Sequence, residues 1–129
     1  MRLAVLGLGF MGSTHIKGIL TLPNVQLTAI CSDDPKALSG DMSSIQGNLG
    51  GPGERFDFSN IRKYSEIDKV LADPEVDAVD LCLPTNLHSA VAIQALRAGK
   101  HVLVEKPMAL TAAETNTMIA EAEKAKRTL

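Results

Sequence analysis

Apolar runs bounded by turn residues alternate with helical stretches along the whole chain. Arg2 to Leu6 is short and nearly continuous in its apolar positions, as a strand buried on both faces must be. Gly7 to Gly12 interrupts it, and His15 to Leu20 has helical spacing until Leu22-Pro23-Asn24 stops it. Val25 to Cys31 predicts a second strand, with Leu27, Ala29 and Cys31 alternating against Gln26 and Thr28. Asp34-Pro35 opens a short helix, because proline is tolerated in a first turn. Ser39 to Asn60 contains Gly40, Gly47, Gly50, Gly51, Pro52 and Gly53, which predicts a helix end followed by an exposed loop. Ile61 to Tyr64 has the length of a brief edge strand, Ser65 can cap a helix to about Leu71, and Asp73-Pro74 ends it. Ala78 to Leu83 predicts a strand, Asn86 caps a helix to Ala98, and Gly99 supplies a left-handed cap. His101 to Val104 predicts a last strand. Thr111 then caps a helix reaching toward Lys126, with Glu114 at capping-box spacing.

Strands alternating with helices require parallel pairing through right-handed crossovers. The expected architecture is α/β: one doubly wound parallel sheet in the order 3-2-1-4-5, helices on both faces, in a single domain over residues 1–129. Ligands of such sheets bind outside the carboxyl ends of the strands. The loops at that edge follow Leu6, Cys31, Leu83 and Val104.

Composition narrows the function classes. The chain has 129 residues, 45% of them hydrophobic and 22% charged, as expected of a globular domain with a core. A net charge of -2 without a basic stripe speaks against nucleic acid, as does the lack of Trp beside one Tyr and three Phe. No apolar run approaches the roughly 20 residues that span a bilayer. The glycines after Leu6 spoil a signal peptide, so no membrane partner is expected and the cytoplasm is the default location. Cys31 and Cys82 would end strands on either side of the first, roughly 9–10 Å apart at about 4.8 Å per strand step. That is too far for a disulfide, so both are expected to be buried thiols.

The first loop, Gly7-Leu8-Gly9-Phe10-Met11-Gly12, has the glycine spacing of a Rossmann dinucleotide site. Gly7 permits the tight turn, Gly9 lets backbone approach a pyrophosphate, and Gly12 lets the helix pack on the strand. The unpaired N–H groups of that helix start attract the phosphates. Beyond Cys31 come Ser32, Asp33, Asp34, Pro35 and Lys36. An acidic group here accepts from the adenosine ribose and favours NAD, whereas Ser32 with Lys36 suits the 2′-phosphate of NADP. Asp33 and Asp34 equally fit a role as helix caps, so NAD or NADP stays open.

Pro84-Thr85-Asn86-Leu87-His88 places polar groups at a helix start, where Pro84, Thr85, Asn86 and His88 can line a nicotinamide pocket; a lone histidine there is more often a surface or capping group. Glu105-Lys106-Pro107 ends a strand with charges, which are costly to desolvate unless paired. Lys106 there suits hydrogen bonding to a substrate oxygen during hydride transfer, with partial burial lowering its pKa; a solvated Glu105–Lys106 pair is the plainer alternative. No Cys-x-x-Cys, His-Glu-x-x-His or Gly-x-Ser-x-Gly occurs, so no metal is expected and triad chemistry has no support. A triphosphate P-loop is excluded by the lack of a following Gly-Lys-Ser/Thr.

Together, Gly7 to Gly12, Cys31-Ser32-Asp33-Asp34-Pro35, Pro84 to His88, and Ala98-Gly99-Lys100-His101-Val102-Leu103-Val104-Glu105-Lys106-Pro107 resemble the glucose-fructose oxidoreductase, inositol dehydrogenase and MocA family over nearly the whole chain. The resemblance implies NAD(P)-dependent oxidation or reduction of a sugar, cyclitol or related polyol. It also implies that Glu105 lies near the nicotinamide and that Lys106 assists proton movement. Ser32 stands where the family often has an acidic residue. Family members continue into a C-terminal substrate domain that also mediates homo-oligomerisation. The chain is therefore expected to be the cofactor domain of a longer enzyme, absent that second domain. The alternative is a dinucleotide-sensing or regulatory module without catalysis.

Overall fold

In the computed structural model, which describes residues 1–45 and 53–129, five parallel strands form one sheet. They are β1 (Arg2–Leu6), β2 (Gln26–Cys31), β3 (Arg62–Tyr64), β4 (Ala78–Leu81) and β5 (His101–Val104), in the order β3-β2-β1-β4-β5. The doubly wound order read from the sequence is the one observed. The central strands carry no polar–apolar alternation because helices cover both of their faces. Every residue of β4 is buried, and so are Leu3 to Leu6 of β1.

Register brings the strand ends level. Leu6 pairs with both Cys31 and Leu81, and Leu81 pairs with Val104. The loops after these residues therefore leave the sheet along one edge.

The helices are α1 (Phe10–Ile19), α2 (Pro35–Leu38), α3 (Ile67–Ala72), α4 (Thr85–Arg97) and α5 (Ala112–Ala125). Leu81, Leu96, Val102 and Met118 belong to the core on the α4 and α5 side of the sheet. Val5, Ile16, Ile30 and Met42 belong to the core on the α1 and α2 side. On this second side the packing ends short of β5. A cavity of about 780 Å³ opens there among Met1, Leu22, Ala78, Leu103 and Leu129.

Several boundaries differ from the sequence expectation. α1 starts at Phe10 rather than His15, because the glycine loop is itself the helix start, with Gly9 at the N-cap position. β4 stops at Leu81 rather than Leu83, since the Leu83 carbonyl faces His88 Nε2 at 2.8 Å instead of joining a ladder. Ser65 does not cap α3, where Glu66 holds the N-cap position. Asn86 does not cap α4; it lies in the first turn behind Pro84, whose fixed φ suits a helix entry. The segment after α2 is not simply an exposed loop. Met42 and Phe58 are buried, and Asp41 bridges Arg55. Gly47, Gly50, Gly51 and Pro52 lie outside the described residues.

Other local signals act as expected. Gly99 has φ +79°, and the N–H groups of Gly99 and Lys100 donate to Leu96 and Ala95 at 2.9 Å, closing α4. Thr111 and Glu114 form the capping box of α5.

Candidate dinucleotide site

The edge after β1 and β4 is where the sheet order reverses, and the glycine loop occupies it. Gly7 adopts φ +93°, and a Cβ there would lie 2.4 Å from the Cys82 carbonyl oxygen. At Gly12 a Cβ would lie 2.0 Å from the Gly7 carbonyl oxygen, so helix and turn touch only because this residue has no side chain. Gly9 differs. A Cβ there would meet no atom within 4 Å among the described residues, so the protein's own packing does not require glycine. The space it keeps open lies beside the uncapped start of α1, whose side chains offer no cap hydrogen bond. Free N–H groups, a helix dipole and room for close backbone approach are what a pyrophosphate needs. Phe10 and Met11 are half-buried in the first turn behind it.

At the end of β2 the two aspartates take different parts. Asp34 caps α2 by accepting from Lys36 N at 2.8 Å, and its own N–H donates to Ser32 Oγ at 3.1 Å. Asp33 is exposed and has no hydrogen-bond partner among the described residues. The Lys36 ammonium turns toward Asp41 and Ser44, 3.9 and 3.4 Å away. Burial, then the nearby Asp33 charge, push the Cys31 thiol up to about 11.

The third and fourth loops are tied together by a buried group. His88 is 1% exposed, with Nδ1 2.9 Å from the Pro107 carbonyl and Nε2 2.8 Å from that of Leu83. Both ring nitrogens are thereby engaged, so His88 sets the spacing of the loops instead of facing a ligand. Pro84 and Asn86 are exposed and Thr85 is half-buried at the start of α4, which has no side-chain cap either. The Lys106-Pro107 peptide is cis. Lys106 is exposed rather than partly buried, because it lies past the end of β5 with no element packed over it.

Glu105 is held closely. Its Oε1 lies 3.0 Å from His15 Nε2, and its Oε2 accepts from Lys106 N at 3.0 Å. The other nitrogen of His15, Nδ1, is 2.8 Å from Oδ2 of Asp80, a fully buried carboxylate in β4. Cys82 Sγ lies 3.4 Å from the same Nδ1 and 3.7 Å from Asp80 Oδ1. Burial raises the Asp80 carboxyl, although the hydrogen bond from His15 opposes this. Burial and then the Asp80 charge push the Cys82 thiol far up, and Cys82 is half-buried rather than buried.

His15, Asp80 and Cys82 have donor atoms within 4.8 Å of one another, a spacing that one cation could bridge. These atoms already satisfy each other through hydrogen bonds, and a protonated thiol is a poor ligand. Sequence reasoning passed over His15 and Asp80. The available signal was a carboxylate inside the apolar run Ala78 to Leu83, which burial makes costly unless it is paired.

Known proteins match the chain in sequence and fold. The family model described as "Oxidoreductase family, NAD-binding Rossmann fold" matches residues 1–129. The chain is 38% identical to the scyllo-inositol 2-dehydrogenase (NAD(+)) of Bacillus subtilis, covering 99% of this chain and 33% of that protein. It is 34% identical to the myo-inositol 2-dehydrogenase of Thermotoga maritima, covering 97% of this chain and 34% of that one. The chain thus spans about a third of the length of these relatives. Among solved structures, the WlbA dehydrogenase from Bordetella pertussis in complex with NADH and UDP-GlcNAcA superposes with a TM-score of 0.79 at 27% identity, covering 98% of this chain and 33% of that one. An NAD-binding protein from Listeria innocua gives 0.80 at 26% identity, covering 98% and 33%.

Proposed function

From the premise that this chain belongs to the GFO/IDH/MocA oxidoreductase family as its NAD-binding Rossmann domain, we propose that it holds NAD(H) for a dehydrogenase acting on a cyclitol, sugar or related polyol. The observation that carries this reading is Gly9, a glycine whose missing side chain no protein atom explains, beside an uncapped helix start. The inositol dehydrogenases among its relatives supply the substrate class.

In this reading the α1 N-terminus and the Gly7 to Gly12 loop bind the pyrophosphate. Asp33, exposed and unpaired among the described residues, accepts from the adenosine ribose hydroxyls, while Lys36 is drawn to Asp41. NAD is therefore preferred over NADP, with Ser32 beside the ribose. Pro84, Thr85 and Asn86 border the nicotinamide end, and Glu105 and Lys106 meet it from the β5 side. The bound nicotinamide carries the hydride. Lys106, exposed at that edge, hydrogen-bonds the substrate oxygen and moves its proton. The substrate domain and oligomer contacts belong to the larger protein of which we take this chain to be the cofactor part. The two free cysteines suit the reducing cytoplasm, where we place the domain. Among the described residues no helix is long and apolar enough to cross a membrane.

Calorimetric titration with NAD, NADH, NADP and NADPH tests the reading. Saturable binding of NAD(H), tighter than that of NADP(H), is expected, and Asp33→Ala should narrow the gap. No heat from any of the four at millimolar concentration overturns it.

A further inference from the structure

A fully buried aspartate in the middle of a central strand calls for an explanation, because an ion pair there gains little over a well-packed apolar pair. Asp80 contributes nothing to the sheet that a leucine would not. What it does is fix one imidazole. His15 sits on the second turn of α1, with Asp80 Oδ2 at 2.8 Å from Nδ1 and Glu105 Oε1 at 3.0 Å from Nε2. A carboxyl group on each side, one at each ring nitrogen, fixes the orientation of the ring. Cys82 Sγ also faces the ring, 3.4 Å from Nδ1; His101 lines the same cavity from β5, with its Nδ1 accepting from the Thr128 N–H at 3.0 Å.

We infer that His15 is a positioning residue: anchored by buried Asp80, it holds the Glu105 carboxylate at the nicotinamide end of the cofactor site. The inference rests on the cofactor reading above and deepens it. Glu105 has its second oxygen on the Lys106 N–H, so the same contact that aims Glu105 also steadies the backbone that carries Lys106. The helix that receives the pyrophosphate is thereby tied to the loop expected to meet the nicotinamide. Such a carboxylate–imidazole–carboxylate chain transmits orientation through hydrogen bonds and needs no packing change, which distinguishes it from a merely structural brace.

Two measurements test it. In chain labelled with 15N-histidine, the ring signals of His15 are expected to move when Glu105→Gln is introduced and again when Asp80→Asn is introduced. Unchanged His15 signals in the folded Glu105→Gln chain overturn the link without reference to any cofactor. The second measurement is NADH affinity in a double-mutant cycle of His15→Ala and Glu105→Gln. Each single change is expected to weaken binding about tenfold, as groups that orient a ligating residue do. The double variant should be no weaker than either single one. Additive losses, or an unchanged affinity in His15→Ala where Glu105→Gln lowers it, overturn the positioning role. His15→Gln, which keeps one amide donor, serves if His15→Ala fails to fold, and melting curves separate loss of fold from loss of affinity. If the unaltered chain binds no dinucleotide, the cofactor reading fails and the positioning role falls with it, while the ring signals still decide whether the His15–Glu105 link exists.

Discussion

At the residue scale, the three glycines of the first loop have identical chemistry and different reasons to be there. Gly12 is required by the protein itself, because any Cβ would overlap the Gly7 carbonyl, whereas Gly9 faces open space. The two alanine variants should therefore separate. Gly12→Ala is expected to lose about 1–3 kcal/mol by overpacking, read as a lower denaturant midpoint, and to lose binding with it. Gly9→Ala, at an ordinary φ of -80°, should lose less than ~1 kcal/mol, the cost of alanine at an N-cap. It should nevertheless bind NADH several-fold more weakly in titration. Equal effects of the two on both readouts would remove the argument that Gly9 is kept open for a ligand. The glycine spacing was legible in the sequence; which glycine serves the fold and which the ligand was not, since that depends on what each Cβ would meet. The aspartates after β2 show the same division. Both fit a cap by position, and only geometry gives that task to Asp34 and leaves Asp33 available.

At the scale of elements, the strands and helices were readable because apolar periodicity, proline and glycine all act locally. The sheet order followed from the alternation alone. Boundaries were misread where a tertiary contact outweighed a local signal, as at Leu83, whose carbonyl is taken by His88. Lys100 is the plainest instance of a role the sequence hid. It falls within the run Ala98 to Pro107 that carries the family resemblance, but it is only 8% exposed, and its Nζ donates to the Asp73 and Val76 carbonyls at 2.7 Å. It joins the turn before β5 to the turn before β4. Asp73 in turn pairs with Arg62 at 2.8 Å and accepts from the Tyr64 hydroxyl at 2.9 Å, bringing β3 into the same junction. Lys100→Met keeps the aliphatic stem but strands the buried Val76 carbonyl, while the Asp73 carbonyl keeps the Val76 N–H at 3.2 Å, so a loss of about 1–3 kcal/mol is expected in chemical denaturation. NADH affinity of the folded variant should be unchanged, because the junction lies at the end of the sheet remote from the glycine loop.

At the scale of the whole molecule, the charged groups divide between the two edges of the sheet. The carboxyl edge holds Asp33 and Lys106, both exposed, and Glu105, which His15 and the Lys106 N–H hold at 3.0 Å. The amino edge is closed by Arg2, which meets Asp77 at 2.6 Å and Glu75 at 2.8 Å, while Asp77 also accepts from the Arg2 N–H at 2.8 Å. Those bonds from Arg2 hold the Asp77 carboxyl far below the usual carboxylate range. A carboxylate whose pKa is depressed by folding adds stability above its unfolded value of about 4, and that stability is lost as pH falls below it. Asp80 acts in the opposite sense, because its carboxyl is raised and its charge is the costly form. Asp41, Asp57, Asp73 and Glu121 are all held low with Asp77, so the balance favours loss of stability in acid. The melting temperature is expected to fall as pH is lowered from about 5 toward 2, the window set by carboxylates titrating below their unfolded values. Asp77→Asn should start from a lower melting temperature at neutral pH and fall less steeply, because the pair it removes is part of what acid removes. Its NADH affinity at neutral pH should match that of the unaltered chain, since the pair lies on the edge away from the glycine loop. An acid limb as steep in Asp77→Asn as in the unaltered chain would mean that the Arg2 clasp contributes nothing, and a weakened affinity would mean that the two edges are not independent.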